Sequence, residues 1–175
     1  MEIYVPEEDS FFLSEILKKE IPKIRNYKLL KYLELGSGSG IQLQTLSKLK
    51  ILKSQIFSAD INPEAVKYCK SLRFKCVKSN LFSKLKGKYD IILFNPPYLP
   101  ENKFDRQKDT TGGKKGNETI NKFLKQSKSH LNKDGTIFLL TSSYTRKINF
   151  LDYKKKLLAE KSLFFEKLYI WEITI

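Results

Sequence analysis

Cysteine and histidine are nearly missing: 175 residues hold two cysteines, Cys69 and Cys76, and one histidine, His130. With six residues between the thiols and no second pair, neither a tetrahedral zinc site nor a disulfide framework can be assembled. No metal site is expected, and the two cysteines should be buried as small apolar side chains. No apolar run approaches the roughly 18 uninterrupted residues of a membrane span. The start, Met1-Glu2-Ile3 running into Glu7, Glu8 and Asp9, lacks the basic and then apolar order of a secretory signal, so a cytoplasmic location is expected. No internal repeat or flexible linker divides the chain. Its length allows one domain, residues 1–175, on the usual scale of roughly 100–200 residues per domain.

Arginine is also scarce. Only Arg25, Arg73, Arg106 and Arg146 stand among 33 basic residues, which outnumber 19 acids to give a net charge of +14. The first 20 residues carry six acids and two bases, a net of −4, so the remaining 155 carry +18. A field of that sign attracts nucleic acid or a nucleic-acid-bound assembly. Bidentate reading of bases and phosphates, however, favours arginine over lysine, and a lysine excess can be a general compositional habit. Direct nucleic-acid binding is possible but not favoured.

What is present alternates between strand and helix. Residues 10–20 place Phe11, Phe12, Ile16 and Leu17 at helical spacing before Pro22. Strands are expected at 30–35, 55–59, 74–78, 89–94 and 136–140, with a turn at Asp134-Gly135. Helices are expected at 41–49 (Ile41, Leu46 and Leu49 inward), 63–72 behind Pro63, 117–131 and 148–160, and one or two last strands within 163–175. Residues 95–116 form a long proline- and glycine-bearing stretch between elements, which compact domains keep for function. Such alternation specifies a parallel sheet with helices on both faces. Ligands then bind at the carboxyl ends of the strands.

Two strand ends carry the chemistry. Glu34-Leu35-Gly36-Ser37-Gly38-Ser39-Gly40 follows the first strand and opens a helix, where glycines let backbone approach a ligand. Dinucleotide sites and plain tight turns share that pattern. Three additions favour S-adenosyl-L-methionine: Glu34 for the ammonium of its methionine part, Asp60 at the end of the second strand for ribose hydroxyls, and Asn80 after the third strand for an adenine edge. Each alone could be a strand-end cap or a surface polar group.

The second is Asn95-Pro96-Pro97-Tyr98, directly after the fourth strand. Consecutive prolines hold the backbone extended. The Asn95 side-chain carbonyl and the Pro96 backbone carbonyl offer two acceptors for an NH2 group, and Tyr98 offers a flat face for a planar substrate. An amide or aromatic amine is a poor nucleophile because its lone pair is delocalised; acceptors on its N–H groups favour charge build-up on nitrogen during attack on a sulfonium methyl. The bland alternative is a rigid turn.

These residues resemble the class I S-adenosylmethionine-dependent methyltransferases and, within them, the HemK-type protein glutamine methyltransferases. Ile3-Tyr4-Val5-Pro6-Glu7-Glu8-Asp9-Ser10 is similar to the Tyr-x-Pro-x-Glu-Asp-Ser/Thr opening of the short archaeal and eukaryotic branch, and Gly112-Gly113-Lys114-Lys115-Gly116 to its Gly-Gly-x-x-Gly loop. The resemblance implies a Rossmann-like class I methyltransferase fold, mostly parallel and seven-stranded with the last strand antiparallel. It also implies an N-terminal helical segment, 1–30, over the cofactor site, and a substrate loop at 95–116.

The implied cofactor-binding residues are Ser10, Glu34, Gly36, Ser37, Gly38, Gly40, Asp60, Ile61, Asn80, Leu81 and Asn95, and the implied catalytic residues Asn95, Pro96, Pro97 and Tyr98. The family commonly has Asp where this chain has Asn80, whose amide can still contact adenine. The implied substrate is the glutamine of the Gly-Gly-Gln loop of a class I translation release factor. The implied partner, in a heterodimer, is a small zinc-binding activator subunit that covers an apolar surface near residues 74–77. Adenine-N6 methylation of DNA or RNA competes, although no spare segment serves as a target-recognition region for a flipped base. Protein lysine methylation and a catalytically silent scaffold also compete.

Overall fold

A computed structural model describes residues 3–99, 113, 115–145 and 147–175. Most of the expected 95–116 loop, with Gly112 and Lys114 of its glycine motif, lies outside the described residues, as do Arg106 and Arg146.

Seven strands form one sheet: β1 (Tyr32–Leu35), β2 (Ile56–Asp60), β3 (Lys75–Lys78), β4 (Tyr89–Phe94), β5 (Leu131–Ser142), β6 (Lys154–Ser162) and β7 (Lys167–Thr174). Their order is β3-β2-β1-β4-β5-β7-β6. The pairs from β3 across to β5 are parallel, whereas β7 runs antiparallel to β5 and β6. This is the expected mostly parallel sheet with its last strand reversed. Strand order changes direction between β1 and β4, and the loops after these strands diverge there to leave a crevice.

Alternating side chains send each strand into two cores. Tyr32 of β1, Ile91 and Leu93 of β4 and Phe138 of β5 pack with α1 (Glu8–Glu20), α2 (Ile41–Lys48) and α3 (Pro63–Ser71). Leu33, Leu35, Ile92, Phe94 and Ile137 pack on the opposite face with Ile120, Phe123 and Leu124 of α4 (Glu118–His130). All four residues of β1 are buried. That explains its continuous apolar character, broken only by Glu34.

Helix ends follow their residues. Pro63 starts α3 behind Asn62, whose side chain accepts from Glu64 N at 3.0 Å. Helix α1 carries Glu8 and Asp9 in its first turn and Lys18 and Lys19 in its last, matching the helix dipole. Within α2 the inward residues are Leu43 and Leu46, both fully buried, with Leu49 packed at the edge of that core. Phe11 stands exposed beside buried Phe12, Ile16 and Leu17. Cys69 and Cys76 are buried free thiols, as expected.

Two expectations are corrected. Residues 148–160 are not a helix: Lys154–Ser162 is strand β6, paired from Lys154↔Thr174 to Ser162↔Lys167 with a bulge between Leu157 and Ala159. Lysine, leucine, alanine and glutamate favour helix locally, but pairing with β7 overrides that weak preference. The lysines instead suit an edge strand, where charge opposes further pairing. Second, β5 begins directly at Leu131, and the Asp134-Gly135 turn is absorbed as a bulge: residues 132–135 sit opposite Asp90 alone. A Cβ on Gly135 would come within 2.9 Å of the Asp90 carbonyl oxygen, so only glycine fits there.

No helix among the described residues is long and apolar enough to cross a membrane.

Candidate active site

The crevice outside the ends of β1, β2 and β4 is a cavity of about 280 Å³. Its floor is the glycine turn. Gly36 N donates to Ala59 O at 2.8 Å, tying the turn to β2. Gly38 has φ +45°, and the space over its α-carbon is open up to Tyr4, 3.8 Å from a hypothetical Cβ. Gly40 serves differently: a Cβ there would press on Cys69 Sγ at 3.3 Å, so this glycine lets α2 approach α3 and is not part of the lining.

Asp60 closes β2 and is 8% exposed. Its carboxylate accepts from Gly38 N and from Asn62 N, each at 2.8 Å. Glu34 is more deeply placed, at 4% exposure, and its Oε2 is buried with no hydrogen-bond partner. Burial, and then the charge of Asp60, push the Glu34 carboxyl well above the ordinary carboxylate range, although a backbone hydrogen bond from Leu43 opposes the shift. An orphaned carboxyl oxygen in a cavity wall is suited to a cation.

The opposite wall comes from the N-terminal segment and from Asn95 to Leu99. Asp9, buried in the first turn of α1, takes three hydrogen bonds. Its Oδ1 accepts from Tyr4 OH at 3.1 Å and from Ser10 N at 2.6 Å, and its Oδ2 accepts from Asn95 Nδ2 at 2.9 Å. An ionised carboxylate only accepts, so the NH2 end of the Asn95 amide must face it. The other end, Asn95 Oδ1, is buried without a partner. Gln42 pins the same segment by donating from Nε2 to Ser10 O at 2.8 Å. The Tyr98 hydroxyl is held in its protonated form far above the ordinary range, by burial first and then by Asp9 and Glu166.

Of the sequence-derived set, the cavity gathers Ser10, Glu34, Gly36, Ser37, Gly38, Asp60, Ile61, Asn95, Pro96, Pro97 and Tyr98. Gly40, Asn80 and Leu81 lie outside the lining. Asn80 is exposed in the turn after β3, where its carbonyl accepts from Ser83 N, and Leu81 packs against the second core. Tyr4, Glu7, Asp9, Gln42, Asn62 and Glu166 also line the cavity, beyond the residues that the motifs single out. Asp9 and Glu7 stood in the opening motif and could have been drawn from it. Glu166, delivered by the turn between β6 and β7, has no local signal at all. The lining as described thus holds five acidic side chains, Glu7, Asp9, Glu34, Asp60 and Glu166, and no lysine or arginine. A chain of net charge +14 surrounds a cavity whose described ionisable lining, tyrosines aside, is acidic.

A doubly wound sheet with a glycine turn after β1, acids at the ends of β1 and β2, and an Asn-Pro-Pro-Tyr segment after β4 defines a Rossmann-like class I methyltransferase. The family model described as methyltransferase small domain matches residues 10–161, and the chain belongs to that family. It is 33% identical to a Methanocaldococcus jannaschii protein named as a protein N5-glutamine methyltransferase, over 97% of this chain and 90% of that one. It is 28% identical to the eRF1 methyltransferase catalytic subunit mtq2 of Schizosaccharomyces pombe, over 79% of this chain and 72% of that one. Among solved structures, the E. cuniculi Mtq2–Trm112 complex, which methylates the eRF1 translation termination factor, matches with a TM-score of 0.78 at 23% identity over 99% of both chains.

Proposed function

We propose that this methyltransferase uses S-adenosyl-L-methionine to methylate the side-chain amide nitrogen of the glutamine in the Gly-Gly-Gln motif of a class I release factor. One observation carries the reading: Asn95 presents a buried, unpartnered amide oxygen to the cavity, and Asp9 prevents that amide from turning over. Leaving such an acceptor unsatisfied costs about 1–3 kcal/mol. A substrate N–H relieves it.

The lining fits the cofactor. The unpartnered Glu34 Oε2 would meet the ammonium, Asp60 the ribose hydroxyls, and Gly36, Ser37 and Gly38 the close approach of the ligand to backbone, with Ser10 and Ile61 at its sides. Asn80 and Leu81, in the turn after the neighbouring strand, are the residues proposed for the adenine edge. The bound sulfonium supplies an electrophilic methyl group. Asn95 Oδ1 would accept one N–H of the glutamine amide and stabilise the positive charge that develops on nitrogen as the N–C bond forms and the bond from the methyl carbon to sulfur breaks, its electron pair staying on sulfur as a neutral thioether. The Pro96 carbonyl is proposed for the second N–H, and Pro97 and Tyr98 hold the segment and the plane of the amide. No general base is required, because the N-protonated amide left after transfer is strongly acidic and gives its proton to solvent water.

The acidic lining also favours a cationic acceptor, so lysine is the second reading. It is the weaker one: both oxygens of Asp9, the carboxylate beside Asn95, are engaged in hydrogen bonds, and a lysine ammonium must lose a proton before it can attack.

The partner proposed is a small zinc-binding activator subunit seated on the β3 edge, where Val77 is 40% and Tyr68 41% exposed. The relatives named for eRF1 and glutamine methylation support the acceptor, and the Trm112-bound structure supports the partner. Purified chain, with and without activator, is to be offered release factor and an adenine-containing oligonucleotide. Faster transfer to release factor is expected; faster transfer to adenine overturns the assignment.

A further inference from the structure

Among the described residues, the turn joining β6 and β7 carries the two most exposed large apolar side chains. Phe164 is 94% and Phe165 80% exposed, and their rings meet edge to face with centroids 5.1 Å apart. The turn that presents them is built rather than loose. Leu163 N donates to Glu166 O at 2.7 Å, the Tyr144 hydroxyl donates to the Phe165 carbonyl, and Lys161 pairs with Glu8 at the start of α1. The next residue, Glu166, turns inward. It lines the same cavity as Asn95 and Tyr98, and its Oε1 is buried with no partner.

One short segment therefore runs from two exposed aromatic rings to an unsatisfied acceptor inside the cavity. Cofactor held by Glu34 and Asp60 would occupy the β1–β2 side and leave the side of Tyr98 and Glu166 to the acceptor chain. A single buried carboxyl oxygen suits a backbone N–H. Two adjoining exposed rings directly before Glu166 in the chain suit the backbone and apolar neighbours of a loop whose glycines leave its main chain bare.

We infer that the β6–β7 turn is the docking lip for the polypeptide that carries the accepting glutamine, with Phe164 and Phe165 receiving its flanking residues and Glu166 accepting one of its backbone N–H groups. This rests on the glutamine reading above.

The test is steady-state methylation of intact release factor by the chain with its activator, comparing wild type, Phe164→Ala/Phe165→Ala, Phe164→Leu/Phe165→Leu and Glu166→Ala. The alanine pair should raise KM for release factor about tenfold with kcat within about twofold, as for loss of a contact worth some 1.4 kcal/mol. The leucine pair should recover part of that loss, and Glu166→Ala, which removes the acceptor oxygen, should raise KM while calorimetric affinity for S-adenosylmethionine stays at the wild-type value. An unchanged KM in the alanine pair, or a loss confined to kcat, overturns the docking lip while leaving the glutamine reading intact. A wild-type chain that transfers nothing to the glutamine overturns both.

Discussion

Asn95 and Asp9, 86 positions apart, are joined by a 2.9 Å hydrogen bond from Asn95 Nδ2 to Asp9 Oδ2. It ties the loop after β4 to the first turn of α1 and leaves the carbonyl oxygen of Asn95, a residue of the cavity lining, buried without a partner. Removing the acceptor, in Asn95→Ala, should lower kcat about 10²-fold, the scale of a lost polar group at a developing charge, while calorimetry shows cofactor affinity largely kept. Asp9→Ala should give a smaller loss of about tenfold, because the amide is present but free to turn over. Equal kcat for wild type and Asp9→Ala would remove Asp9 from the account.

Glu34 gives the stability of the unliganded chain a pH dependence. Its folded-state pKa is raised, so the native state holds the proton more tightly than the unfolded chain does. The stabilisation is complete below the ordinary value of 4.5 and is lost as pH rises from there through the raised folded value. Melting temperatures across that range should show a steeper decline with pH for wild type than for Glu34→Gln. Parallel curves would show that Glu34 is ionised in the folded chain.

The glycines of the turn should separate in their effects. Gly40→Ala meets a φ of +71° and the Cys69 thiol at 3.3 Å. Its cost should be about 1–2 kcal/mol, or a melting temperature lower by roughly 3–6 °C, with cofactor affinity little changed. Gly38→Ala, in the lining, should weaken cofactor binding as well. Calorimetry and thermal melts on the two variants distinguish the roles, and equal cofactor affinities would contradict the division.

Charge should govern encounter rather than chemistry. The chain is strongly basic outside a cavity with an acidic lining, and fields at its surface shrink from about 30 Å in 0.01 M salt to about 8 Å in 0.15 M. The KM for release factor should therefore depend on ionic strength, with kcat nearly constant. A salt-independent KM would show that the lysine excess does not steer this substrate.

Much of the site was legible because it is local. The glycine turn, Asp60 and Asn95 to Tyr98 each follow a buried strand, and a parallel sheet brings the ends of such strands together. What escaped was long-range. Asp9 reads only as an acid of the opening motif until folding sets it against Asn95, and Glu166 as one charge within the last strands until the β6–β7 pairing brings it to the cavity lining. The fold shows the same division. β4 is apolar enough to announce itself, whereas β6 is composed of helix-favouring residues and is a strand only because β7 offers it an edge.

The most direct measurement is fragment-ion mass spectrometry on release factor after incubation with the chain, its activator and S-adenosylmethionine. A single methyl on the side chain of the Gly-Gly-Gln glutamine, lost with Asn95→Ala, is the predicted result. Methylation on a lysine instead, or an equal yield from Asn95→Ala, would contradict it.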